Sequence, residues 1–339
     1  MTTAPTRAMS SEQETGTQVP NSGSEHGTNG WTVRSRQSLF HKLLRPEFLW
    51  RPRQLLRARA FRPRTTIQHL QLPWDCTISA RSSEVVGKLI ATLGLYDLPL
   101  TEAIMRLADA GDIALDVGAN VGYTSLVLAL SVGAKGHVRA FEPNPYVLPT
   151  LRANLSEWGS LRIAPVTVST TAISDRDGEA TLGFPNEYEH NEGLASLESC
   201  RDGIAVTVKR LDSLDVNEAG IMKIDVEGHE SAVISGATRL LKNGEIRDIL
   251  FEEHEDYPAR SHQYLLHHHY SIFRVSGTMF GPLLLAPQAK ARSPFLPPVY
   301  PPNYLATLDA ARAQQRFNAR GWHALSSRPR THPIFREWL

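Results

Sequence analysis

The segment Ile113–Thr124, IALDVGANVGYT, ends an apolar run at an acid and then repeats glycine at Gly118 and Gly122. A second acid, Glu142, closes the next apolar run in VRAFEPNP. In parallel α/β units, ligands bind beyond the C-terminal ends of the strands. Gly118 lets the chain turn sharply there, and Gly122 lets the next helix pack closely or lets a ligand approach the backbone. A dinucleotide fingerprint starting at Gly118 would need glycines where Asn120 and Tyr123 stand, and the chain has no GxxxxGK[ST] phosphate loop. Asp116 opposes a pyrophosphate and suits a cation. Glu142, about 20 residues past the glycines, suits the paired hydroxyls of a ribose. The ligand these residues ask for is a nucleoside with a cationic appendage and no phosphates, a description that S-adenosylmethionine fits.

Group-transfer chemistry at such a crevice needs alignment of the reacting groups and a base or metal. Asp225 ends a fourth apolar run, and Glu252 and Glu253 end a fifth. Carboxylates from adjacent parallel strands, without cysteine, suit Mg²⁺ or Mn²⁺. The same acids are equally suited to capping helices or holding substrate, and Glu227 or Glu230 would cap the helix after DVEGHE. His254 and His229 follow the same strand ends and titrate in the range a general base needs. His267, His268 and His269 end a helix; three consecutive histidines cannot all face one ion from a regular helix.

These residues need a scaffold that brings several strand ends together. From residue 113, apolar runs alternate with helical patterns: strands at 113–117, 138–141, 163–168, 221–224 and 246–251, and helices at 123–130, 145–155, 231–242 and 259–267. The alternation predicts a doubly wound parallel sheet covered on both faces. YSIFRV and FGPLLLA, joined by a turn at Ser276–Gly277, add an antiparallel edge pair. Residues 180–210 read as a polar β excursion. Ser82 or Ser83 is placed to cap a helix beginning near residue 84, and Thr101 the one after it.

Residues 1–30 are too poor in large apolar groups to offset ordering entropy and read as a disordered tail. Residues 31–64 carry ten Lys/Arg against the single acid Glu47, although the whole chain of 339 residues has a net charge of only +1. Pro46, Pro52 and Pro63 divide this basic extension into short helices. It either packs on the main domain or stays mobile, with contact to a membrane surface or an anionic substrate as its functional reading. A domain follows over 65–290, then a Pro-rich and later helical extension over 291–339 that wraps the domain or makes homo-oligomer contacts. Two distant cysteines, Cys76 and Cys200, give no disulfide framework, and no apolar run approaches a membrane span. The expectation is a cytoplasmic protein without a transmembrane segment. The aromatic residues show no stacking pattern suited to nucleic acid.

LDVGANVGYTS, AFEPNP, TTAISDRDGEATL, VKRLDSL, MKIDVEGHE and PNYLAT, in this order, resemble the FkbM-type, class I S-adenosylmethionine-dependent methyltransferases over roughly residues 70–325. The resemblance implies an α/β, Rossmann-like fold with a seven-stranded, mostly parallel sheet of order 3-2-1-4-5-7-6. It also implies O-methylation of a polyketide-like, sugar or glycan acceptor. Carried across, Asp116, Gly118 and Gly122 form the methionine-side loop, Asn120 and Ser125 reach the cofactor carboxylate, and Glu142 holds the ribose. Ala172 and Ile173 flank the adenine, Ser174 or Asp175 meets its amino group, and Tyr96 and Asp97 form a lid. The competing readings are an N- or C-methyltransferase and a non-catalytic, cofactor-binding scaffold.

Overall fold

The run Ile113–Val117 forms β3 and is buried at every position after the first. The helix it leads into, α5 (Tyr123–Val132), is buried all round. A helix apolar on every side belongs inside a domain, and β3–α5 is the centre of this one. The computed structural model describes residues 45–184, 195–197, 203–289 and 301–326, all within one unit, residues 36–339. The expected tail at 1–30, the first part of the basic extension and Cys200 lie outside the described residues.

Ahead of β3 come α1 (Pro46–Trp50), α2 (Arg53–Ala60), the hairpin β1 (Ile67–Gln71) and β2 (Thr77–Arg81), α3 (Val85–Leu93) and α4 (Leu98–Leu107). After α5 the chain runs β4 (His137–Phe141), α6 (Leu148–Trp158), β5 (Val166–Ser169), β6 (Ala172–Ile173), β7 (Gly178–Gly183) and β8 (Gly203–Lys209). It continues through β9 (Ala219–Ile224), α7 (Glu230–Ser235), α8 (Thr238–Lys242), β10 (Ile246–Glu252) and α9 (Arg260–His267). The last elements are β11 (Ser271–Thr278), β12 (Gly281–Leu285), β13 (Asn303–Thr307) and α10 (Ala310–Phe317).

The main sheet has eight strands, in the order β12-β11-β13-β10-β9-β3-β4-β5. This corrects the expected count of seven. With β12 set aside and the others numbered along the chain, the order across the sheet is 3-2-1-4-5-7-6. β5, β4, β3, β9 and β10 are mutually parallel, whereas β13 enters antiparallel between β10 and β11. The boundary drawn at 290 therefore does not hold, because NYLAT is a central strand buried at all five positions. Its short length and its proline-rich approach hid it, and an antiparallel insertion needs no crossover helix to announce it. The polar excursion forms a separate three-stranded sheet, β6-β8-β7.

Side chains alternate across the main sheet as the two-residue period requires. Ala114, Ile221, Leu250 and Leu305 share a core with α4 and α5. Leu115, Val117, Met222, Ile224, Phe251 and Tyr304 share the opposite core with α7, α8 and α9. Each fully buried Leu, Ile or Val stabilises the fold by roughly 1.5–3 kcal/mol relative to exposure.

Several local expectations change in three dimensions. The edge hairpin turns at Met279–Phe280, and Ser276 and Gly277 lie inside β11. A Cβ on Gly277 would come 2.6 Å from the Trp322 ring, so this glycine serves packing rather than turning. Helix 231–242 divides at Gly236, where a Cβ would lie 1.9 Å from the Ser174 carbonyl oxygen. Asp212 then caps the second piece through the amides of Arg239 and Leu240. Asp97, not Thr101, caps α4 by accepting from the Leu100 amide at 3.0 Å. Glu84 is the N-cap of α3, without a side-chain bond, while Ser82 accepts from the Arg64 amide. Helix α6 starts at Leu148, with proline in its first turn, rather than at Pro145.

Residues 45–64 pack on the domain. Gln54 is buried and donates to the Ala91 carbonyl at 3.2 Å, and the bond from Arg64 to Ser82 holds the far end. Pro46 and Pro52 stand at the starts of α1 and α2, as proline's fixed φ and missing N–H favour.

Candidate functional site

The loop from β3 to α5 alternates left-handed residues: Gly118 at φ +80°, Asn120 at +50° and Gly122 at +94°. A Cβ on Gly118 would lie 1.8 Å from the Asp225 carbonyl oxygen, so this glycine admits the backbone of the β9–α7 loop. A Cβ on Gly122 would strike Leu151 and Trp158, so Gly122 serves the packing of α5 on α6. The loop uses its own amides. Gly118 and Ala119 donate to the Phe141 carbonyl, Asn120 to Glu142, Val121 to its neighbour Asn120 Oδ1, and Gly122 to the Ala119 carbonyl.

Asp116 is fully buried beneath this loop. Thr124 and Ser125 hydroxyls donate to its carboxylate, and Lys223 Nζ lies 3.4 Å away. Lys223 also donates to the Gly118 carbonyl at 2.7 Å and lies 3.5 Å from Asp225. Burial opposes the ammonium charge, but Asp225 and Asp116 outweigh it and hold the pKa above the ordinary lysine range. The negative charge of Asp116 is thus matched inside the protein, and Ser125 faces this acid.

One layer higher, the strand register gathers five residues. Phe141, Val117, Ile224, Phe251 and Tyr304 are partners along one row of the sheet. The next residues toward the open end are Glu142, Gly118, Asp225 and Glu252, with Asn303 paired to Glu252. Alternation turns this row toward the α4–α5 face. Glu142 anchors one end, where Asn120 N–H donates to Oε2 at 2.7 Å and Asn144 N–H to Oε1 at 2.9 Å. Burial pushes its pKa up to about 7 against these two donors. At the other end, Asn303 Nδ2 donates to Asp97 Oδ2 at 2.8 Å. Asp97 in turn follows Tyr96, whose ring meets Tyr123 edge-on at 5.7 Å between centroids. The Tyr123 hydroxyl lies 2.9 Å from Thr101 Oγ1.

Between these ends lies an acidic cluster. Burial first, then Asp225, Asp97 and Glu227, hold the Glu252 carboxyl well above its usual range. Burial, Asp225 and Glu230 push Glu227 up to about 8, with its backbone in the left-handed region at φ +53°. Burial raises Asp97 against its bonds to Leu100 and Asn303. Glu230 is buried and accepts from the amides of Val226 and Gly228, fixing the loop that carries Glu227, and burial raises it to about 7. Glu230 therefore organises the turn, while Glu227 joins the cluster. Chemically the arrangement favours a cation and can accept a proton near neutrality.

The structure separates other residues that the sequence grouped. Glu253 points to the opposite face, where Ser261 Oγ and the Glu255 amide donate to it. Adjacent strand positions face opposite sides, so Asp225, Glu252 and Glu253 do not form one metal site. Among the described residues no group of three or more His, Cys, Asp or Glu is arranged to hold a metal ion. His254 is exposed on the loop after β10. His229 stands at the start of α7 with Nε2 3.0 Å from Ser174 Oγ. That contact engages the hydroxyl expected to meet adenine, while Asp175 is exposed beside Arg176. Ala172 and Ile173 are buried in β6, in the separate three-stranded sheet. His267 is exposed at the end of α9 and His268 follows it as C-cap.

Sequence reasoning missed Lys223 and Asn303, and read Glu227 only as a helix cap. Lys223 had a visible signal, a lone cation inside the apolar strand AGIMKI.

Residues 116–272, just under half of the chain, match the family model of the methyltransferase FkbM domain. Among curated proteins, the hexuronic acid methyltransferase AglP of Haloferax volcanii is 27% identical over 159 residues, which are 44% of this chain and 61% of that protein. The chain therefore spans less than two thirds of this relative's length. Among solved structures, a methyltransferase FkbM from Methylobacillus flagellatus KT matches at 15% identity and a TM-score of 0.39, covering 59% of this chain and 44% of the other. An S-adenosylmethionine-dependent O-methyltransferase from Thermotoga maritima matches at 16% identity and a TM-score of 0.35, covering 62% and 63%. Over residues 116–272, the chain is thus similar to the methyltransferase FkbM domain.

Proposed function

We propose that the chain is an S-adenosylmethionine-dependent O-methyltransferase whose acceptor is a hydroxyl of a sugar or glycan. The observation that carries this reading is the row Glu142, Gly118, Asp225, Glu252 and Asn303 at the open end of the sheet. Glu142 has both carboxylate oxygens fixed by backbone donors, and a carboxylate at this strand end suits paired ribose hydroxyls. The acid cluster supplies negative potential for a sulfonium and an ammonium group. S-adenosylmethionine supplies the electrophilic methyl group when bound. The chain's own residues orient the donor, exclude water and take the acceptor's proton. A carboxyl of the Asp225, Glu227 and Glu252 set receives that proton, since burial and neighbouring acids raise Glu227 to about 8 and hold Glu252 well above its usual range. The sugar class rests on the hexuronic acid methyltransferase relative.

Calorimetry with S-adenosylmethionine tests the donor site. Glu142→Gln should weaken binding by roughly tenfold to a hundredfold, the worth of hydrogen bonds to a charged group. Absence of binding to the unaltered protein, or unchanged affinity in the variant, would sink the reading. Incubation with hexuronic-acid and neutral glycosides, followed by mass spectrometry, should show one added methyl on oxygen. Methyl transfer confined to amines would instead favour the N-methyltransferase alternative.

A further inference from the structure

We propose that the face formed by α1, α2 and the β11–β12 turn docks on an anionic phospholipid bilayer and brings the site end of the sheet close to the lipid. Two elements distant in sequence build this face. Trp50 of α1 is 52% exposed and Phe280 of the β11–β12 turn is 75% exposed. They border one residue, Gly321. The Trp50 ring lies 3.4 Å from where a Cβ on Gly321 would sit, and the Gly321 amide donates to the Phe280 carbonyl at 2.8 Å. Leu49, Leu56 and Leu283 are exposed on the same elements. Large apolar groups placed together on a surface mark an interaction site.

The charge beside them has one sign. Arg53, Arg57, Arg59, Arg62 and Arg64 are all exposed. The sole acid between residues 45 and 74 is Glu47, which is buried and bound by Arg45 at 2.9 Å. Burial and the nearby Arg57 charge both push the Arg51 guanidinium down from its ordinary pKa. Interfacial Trp and Phe interleaved with arginine match a bilayer surface, where aromatic rings sit at headgroup depth and cations meet anionic lipid. A nucleic acid would answer the arginines but leave Leu56 and Phe280 in water.

The face also has a fixed relation to the site. β11 and β10 are each antiparallel to β13, so the turn after Thr278 lies at the same end of the sheet as Glu252. Pro99 Cγ in α4 is 3.5 Å from where a Cβ on Gly277 would sit, and Arg51 abuts Gly94. Thus β11, which leads into the turn, and Arg51, between α1 and α2, both border the 94–99 segment that carries Tyr96 and Asp97.

The test is sedimentation of the full chain with phosphatidylglycerol–phosphatidylcholine vesicles and with pure phosphatidylcholine vesicles. Binding to the anionic vesicles should exceed binding to neutral ones by at least about tenfold and fall with added salt. Arg57→Glu/Arg59→Glu/Arg62→Glu and Trp50→Ala/Phe280→Ala should each lower it by roughly tenfold or more, with circular dichroism and thermal midpoints checking that both variants fold. Phospholipids brominated along the chain should quench part of the fluorescence, and Trp50→Phe should remove that part. Equal binding to both vesicle types, no binding, or variants that bind like the parent protein would overturn the proposal. So would displacement from vesicles by duplex DNA with Trp50→Ala/Phe280→Ala binding that DNA unchanged.

Discussion

The two ends of the main sheet use carboxylates in opposite ways. At the end where the parallel strands begin, Asp109, Asp112 and Asp248 meet Arg247, Arg312 and Arg316. Arg312 reaches Asp248 at 2.8 Å and Asp109 at 2.6 Å, Arg247 reaches Asp112 at 2.7 Å, and Arg316 also binds Asp109. Burial works against the Asp109 charge, yet Arg316 and Arg312 hold its carboxyl below the usual range. At the end where the strands finish, Asp225, Glu227 and Glu252 lie near the cation Lys223, and burial lifts Asp97, Glu227 and Glu252 above the usual range. The matched end joins α10 to α4 and to the sheet. The unmatched end holds carboxyls that keep their protons more readily than usual, and a cation placed among them would favour their charged form.

Four experiments press on this contrast. The largest effect belongs to Glu252→Gln, which should lower kcat by roughly a hundredfold to ten-thousandfold while leaving donor affinity within a few-fold. The control, Asp248→Asn, should leave turnover intact, and equal losses in steady-state assays would erase the distinction between the two ends. Next, Lys223→Met leaves Asp116 and Asp225 without their cation. Denaturant unfolding should register a loss of about 3–5 kcal/mol, since Asp116 is fully buried. A third variant, Arg312→Ala, should cost about 1–3 kcal/mol of stability and leave donor affinity unchanged, because its partners are at the far end.

The smallest effect is a slope. Glu227 rises from 4.5 to about 8 on folding, and Glu142 and Glu230 to about 7. Between pH 4.5 and 8 the folded chain therefore binds more protons at these groups than the unfolded chain, so their contribution to stability is lost as pH rises. Asp109, depressed below 3.8, has the opposite sign, and its contribution is lost as pH falls through its folded value. Thermal midpoints of the free protein should decline from mildly acid pH toward pH 8, and Glu227→Gln should flatten that decline. An unchanged slope would mean that Glu227 lacks the raised pKa. Proton release on donor binding, read by calorimetry in buffers of different ionisation enthalpy, gives the same comparison from the ligand side.

Much of the fold was readable in the chain. Strand runs such as Ala114–Leu115 and Ile249–Phe251 are apolar and buried on both faces, which sets them apart from the amphipathic helices between them. The central strand Asn303–Thr307 was not readable, since five residues after a proline run carry too little period to register. The acids at 116, 142, 225 and 252 were legible because each follows an apolar run. Their division of labour was not: Asp116 is matched internally by Lys223, and Glu253 looks away although it is adjacent in sequence to Glu252.

The sequence by itself determined the alternation of strands and helices, the left-handed turn at Gly118 and the basic character of residues 31–64, because local sterics and composition are properties of short segments. Tertiary structure alone decided which carboxylates share a site. Register lines Glu142, Asp225 and Glu252 along one row, and the path of β13 adds Asn303 and, through it, Asp97. Burial and charge pairing depend on neighbours hundreds of residues away, so no segment read in isolation carries them.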